Sequence, residues 1–180
     1  MDSVKNIELQ YLANIHKDAV EAQKHCIIWD QTGQADTFFN YNSNLADFNR
    51  DVKKVEGGFM EATEALEKLR VKMVPSMRTG KIFAIHVANV VPDFQTMFAG
   101  TEDVFPSAKV FNWEEWRVHE TYMKCVRDDE NHNDMGNKGA FYMDSKFCIV
   151  ISATYESPEK CQELLDKIPH SDQMMKFMIM

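Results

Sequence analysis

Three short apolar runs, Cys26–Trp29, Ile82–Val87 and Phe147–Ser152, constrain this chain more than any other feature. They are rich in Ile, Val and Phe and show no polar alternation, the pattern of strands buried on both faces. The segments between them carry apolar residues at helical spacing. Buried strands alternating with helices predict an α/β fold, a three-layer α/β/α sandwich around a mostly parallel sheet.

Individual elements follow from the same spacing. Residues 3–24 read as a helix capped by Ser3, with Val4, Ile7, Tyr11, Leu12, Ile15, Ala19 and Ala22 on one face. A second helix is expected over Thr37–Val55, locally weakened by its asparagines. The segment Glu61–Val74 has the clearest helical stripe, and Pro75 and Gly80 are expected to end it. A short helix over Pro92–Ala99, an edge strand over Ala108–Asn112 and an amphipathic helix over Trp113–Arg127 come next. Ser157-Pro158 opens a helix reaching Lys167, with Cys161, Leu164, Leu165 and Ile168 facing inward, and Lys176–Met180 reads as a last strand. No repeat or composition break divides the chain, so residues 1–180 are expected to form a single domain: an N-terminal helix within 1–24 and a core over 25–180.

Composition limits the function classes. Among 180 residues, 44% are hydrophobic, enough for a sizeable core, and the formal charge is −8. No block of Lys and Arg exists to follow a phosphate backbone, which argues against nucleic acid as partner. The longest apolar stretches are too short to cross a bilayer, and MDSVKNIELQ lacks the basic and apolar regions of a secretory signal. The four cysteines form no CxxC pair, so reduced, buried thiols and a cytoplasmic location are expected.

The segment after the first apolar run carries the main functional expectation. Asp30-Gln31-Thr32-Gly33-Gln34-Ala35-Asp36-Thr37 has the length of the phosphate-binding pattern GxxxxGK[ST] and lies between a strand and a helix. Thr37 stands at the metal-binding hydroxyl and Gly33 in the middle of the loop. Asp30 and Ala35 replace its two glycines, and Asp36 replaces its lysine. The second run leads to Asn89, and the third ends in Ser152, Ala153 and Thr154. In this order and spacing the chain resembles the P-loop NTPase superfamily, most nearly its AAA+-like branch. The resemblance implies a P-loop-like α/β core in which Asn89 takes the place of the Walker B acid and Ser152 and Thr154 stand as sensor-like residues. It also implies a context, since nucleotide-inactive relatives serve as fixed parts of larger machines, including those of the cytoskeleton, cilium and axoneme.

Charge argues against hydrolysis. An Asp36 carboxylate where a lysine ammonium belongs turns an attraction of about 4 kcal/mol at 4 Å into a repulsion of similar size, at an effective dielectric near 20. Replacing the two glycines also removes backbone freedom at the phosphates. The expectation is a pseudo-ATPase: not an enzyme, without cofactor or metal, acting as a structural or protein-interaction module. Its partners would be other proteins in an assembly. Trp113, Trp116 and Tyr122 form the expected interaction surface, because the apolar residues of their segment cannot share one helical stripe, although a wide buried stripe remains open. Two alternatives stand beside this reading. One is a nucleotide-binding switch without hydrolysis, relying on Thr37. The other is a small-molecule transferase using His119 or the Asp128–Asp134 loop. His86, inside an apolar run, is expected to be a hydrogen-bonded core histidine.

Overall fold

The computed structural model describes residues 3–180. Six strands form one all-parallel sheet in the order β1-β6-β2-β5-β4-β3: β1 (Val4–Ile7), β2 (Cys26–Asp30), β3 (Asn44–Ala46), β4 (Ile82–Ala88), β5 (Cys148–Thr154) and β6 (Met175–Ile179). The three apolar runs are β2, β5 and β4, three of the four inner strands, as their lack of alternation predicts. Strand β2 sits between β5 and β6, with Asp30 opposite both Thr154 and Ile179.

Helices cover both faces. On one face, Cys26, Ile28, Ala84, Cys148 and Val150 pack under α1 (Leu12–Ala22) and α2 (Ala35–Asn42). On the other, Ile27, Trp29, Phe83, Ile85, Ile149 and Ile151 pack under α3 (Phe48–Glu56), α4 (Ala62–Thr79) and α8 (Pro158–Lys167). The same face holds α5 (Ser107–Val110), α6 (Trp113–Trp116) and α7 (His119–Met123). Ser157 caps α8 by accepting from the Lys160 N–H, and Cys161, Leu164, Leu165 and Ile168 are buried as the sequence predicts.

Tertiary contacts overturn several local expectations. Residues 3–24 are not one helix: Val4–Ile7 pairs with β6 at the sheet edge, and Ser3 lies at φ 99° instead of capping. The expected helix over Thr37–Val55 is cut at Ser43, whose backbone is extended and whose hydroxyl closes α2 by donating to the Phe39 carbonyl. The residues directly after it, Asn44–Ala46, supply the edge strand β3. Pro75 does not end α4, which continues to Thr79 before Gly80 caps it at φ 71°. An interior proline costs about 3 kcal/mol. Burial of Met73, Val74 and Met77, each fully enclosed, contributes roughly 1.5–3 kcal/mol apiece and outweighs it.

The region between β4 and β5 departs furthest. Pro92–Ala99 is a series of turns in which the Asp93 carboxylate accepts from the N–H groups of Gln95 and Thr96. Ala108–Asn112 falls in and after the short helix α5 and is not a strand. Trp113–Arg127 breaks into α6 and α7. Asn112 caps α6, and Arg117 folds back onto the Trp113 carbonyl, which closes the helix after one turn.

Candidate functional site

The connection leaving β2 lies on one face, through α2, while the one leaving β5 lies on the other, through α8. Adjacent strands whose connections part in this way open a crevice at their carboxyl ends, where ligands of open α/β sheets bind. The structure brings Asp30, Asn89, Ser152 and Thr154 to this edge. Asp30 and Thr154 are register partners, and the Tyr155 N–H donates to the Asp30 carbonyl at 3.1 Å. Ser152 is buried, whereas Thr154 and Asn89 are exposed. Asn89 follows a bulge at His86/Ala88, where Ala88 adopts φ 50°, a left-handed conformation uncommon for a residue with a Cβ.

The loop itself is built around Asp30. Its Oδ1 accepts from the Thr32 N–H and hydroxyl, both at 2.7 Å, and its Oδ2 accepts from the Ala35 N–H at 2.7 Å. Gly33, at φ 72°, makes the turn between them. The Thr32 hydroxyl in turn accepts from the Gln34 N–H. A phosphate at the start of α2 would need these same donors, directed by the helix dipole. The chain thus places its own carboxylate where an anion would sit. Burial pushes the Asp30 carboxyl up, but the bonds from Ala35 and Thr32 outweigh it and hold the group below its ordinary value. Asp36, one residue into α2, accepts from the Thr37 N–H at 2.9 Å, and Thr37 is exposed.

The cavity walled by Trp29, Asn89, Thr154 and Lys160 holds about 10 Å³, the room of one water at most. A wider groove of about 630 Å³ borders the end of the loop, between α2 and the ends of β3 and β4. Asp36, Thr37, Arg50 and His86 line it, and the Arg50 guanidinium is paired to Asp47 at 2.7 Å. His86 is half-buried with its Nδ1 enclosed and unpartnered among the described residues, so it is not the hydrogen-bonded core histidine its strand predicts.

The expected interaction surface is mostly interior. Trp116 and Tyr122 are 0% and 1% exposed, and only Trp113 is half-exposed. Breaking the helix after Trp116 turns both halves inward, which the assumption of one continuous helix hid. His119 is exposed, with its Nδ1 2.8 Å from the Tyr122 hydroxyl. The Asp128–Asp134 loop is tied to α4: Arg70 pairs with Glu130, and Arg78 donates to the carbonyls of Glu130 and His132.

Two buried groups carried no sequence signal. His25, just ahead of β2, accepts the Ile149 N–H on its Nδ1 at 3.0 Å. Burial, then the charge of Arg117, pushes its pKa down to about 3, so the ring is neutral. Arg70, 3% exposed, is held by Glu67, Glu130 and the Cys125 carbonyl. All four cysteines are buried and unpaired, and burial pushes Cys148 up to about 12 and Cys125 to about 11, far from the thiolate a nucleophile needs. Among the described residues, no group of three or more His, Cys, Asp or Glu converges as metal ligands would, and no helix is long and apolar enough to cross a membrane. Compared with protein-family models, curated proteins and solved structures, the chain matches none.

Proposed function

We propose that this chain is a non-catalytic, P-loop-like domain that acts as a structural or protein-interaction module in a larger assembly. The observation that carries this reading is the Asp30 carboxylate bonded to the N–H groups of Thr32 and Ala35. A site meant for phosphate leaves those donors free, and here a permanent negative charge occupies them. Asp36 adds a second negative charge in the first turn of α2. Strand order supports the same reading. The loop strand β2, the strand β5 that ends in Ser152–Thr154 and the strand β4 that leads to Asn89 lie side by side, with all three segments at one edge.

The direct test is calorimetric titration of the full chain with Mg-ATP and Mg-ADP. No saturable heat is expected at millimolar nucleotide, and a saturable isotherm would end the proposal. Copurification from the native source would then name the assembly, since a domain of this kind is defined by its neighbours.

A further inference from the structure

The opposite end of the sheet holds a charge the fold does not neutralise. Arg117 lies at the amino ends of β2 and β5, its guanidinium 3.3 Å from the centroid of the Trp113 ring. It donates to the carbonyls of Phe147 and Trp113, at 2.5 and 3.3 Å. These bonds engage two of the five N–H donors a guanidinium carries. Among the described residues no carboxylate lies within ion-pair distance of it. The contact with Trp113 and the two carbonyl bonds anchor the side chain, but none of them supplies a negative charge to balance the guanidinium.

Beside the guanidinium lies a pocket of about 370 Å³, within the range of small-molecule sites. Its walls include Arg117, Trp113, Tyr142, Gln23, Ser145 and Asp144. Tyr142 is 72% exposed, large and flat, and stacks on His119 at an interplanar angle of 25°. Asp144 is the one carboxylate in the wall. Its Oδ1 accepts the Lys146 N–H at 2.8 Å and lies against the turn at Gly80.

We propose that this pocket binds a small organic oxyanion, a carboxylate or phosphate ester, whose charged end meets Arg117 and whose flat body lies against the aromatic wall. An arginine presents donors that match two oxygens of such a group at once, and aromatic faces supply apolar contact for a planar body. The downward push on Arg117, to about 10 by burial, and the reach of its charge to His25 both describe a cation without a counter-ion. This site is independent of the loop at Asp30, which lies at the other end of the same strand.

The test titrates the full chain with benzoate, phenyl phosphate, inorganic phosphate and, as a cationic control, benzamidine, read by calorimetry and tryptophan fluorescence. Benzoate or phenyl phosphate is expected to bind with Kd below about 1 mM, with a fluorescence change from Trp113 and no response to benzamidine. R117Q should weaken binding at least tenfold. Y142A, a change at an exposed side chain, should weaken benzoate several-fold while leaving the fold intact, which keeps the test decisive if R117Q does not fold. Absence of saturable binding by every anion at about 20 mM, or unchanged affinity in both variants, overturns the proposal. Equal affinity for inorganic phosphate and phenyl phosphate overturns the flat-body half of it.

Discussion

Replacing Asp30 with alanine removes the acceptor that three donors share at the start of α2. Bonds to a charged group contribute about 1.5–3 kcal/mol each, so three would suggest about 4.5–9 kcal/mol. That sum is too large, because Asp30 is only 4% exposed and burying its charge takes back several kcal/mol. Loss of a helix-capping side chain costs about 0.5–2 kcal/mol, and the upper end suits a buried carboxylate with this many partners. We expect D30A to lose about 2 kcal/mol, a fall in Tm of about 4–8 °C for a chain of this size. D30N, which keeps acceptor capacity but not charge, should lose about half as much.

The pH dependence separates charge from shape. The folded pKa of Asp30 lies below its unfolded value near 3.9, so its stabilisation is fully present above that value and is lost as pH falls through the folded pKa. The gap between wild type and D30N should be constant from pH 7 to 5 and should shrink below pH 4. Sulfate should also raise the Tm of D30A more than that of wild type, because the mutation frees the donors at the start of α2. Thermal melts across pH and sulfate concentration measure all three effects. A D30A melt within 1 °C of wild type, or a D30N gap that grows with acid, would refute the assignment of Asp30 as the occupant of the seat.

Other perturbations test neighbouring parts of the argument. R70A strands Glu130 and the Cys125 carbonyl in the interior, and it should cost about 3–5 kcal/mol by chemical denaturation; R70M, which keeps the volume, should cost less. G100A adds a Cβ that meets the Phe105 carbonyl at a position with φ 73°, so it should lower stability by more than about 2 kcal/mol in the same assay. D36K restores a lysine to the loop while Asp30 still fills the seat, so calorimetry should detect no Mg-ATP binding; binding by D36K, lost again with T37A, would favour the nucleotide switch instead.

The candidate site was legible in the sequence as a place more than as a mechanism. Loop length, the flanking strand and helix, and the positions of Asn89, Ser152 and Thr154 put the relevant residues in order along the chain. In the sequence, Asp30 stands out only as a replacement for the loop's first glycine. Its actual part, bonding Ala35 five residues on, depends on the turn at Gly33 and on the direction of a side chain, and neither is encoded in spacing. The interaction surface failed for a related reason. Whether Trp116 and Tyr122 face outward depends on a helix break at Arg117, which a periodicity argument assumes away.

What the sequence determined by itself was the inner sheet. Unbroken apolar runs such as Phe147–Ser152 can be stable only where both faces are covered, so their composition alone fixes them as central parallel strands. The tertiary structure decided the edges and the exceptions. Val4–Ile7 and Asn44–Ala46 have weak local preferences and become strands because each has a neighbouring strand to pair with. Pro75 stays inside α4 because buried neighbours offset its cost. Arg117 meets the Trp113 ring and the Phe147 carbonyl because the fold brings these separate segments together. Local energies of a few tenths of a kcal/mol per residue yield to packing and pairing wherever the folded chain brings distant segments together.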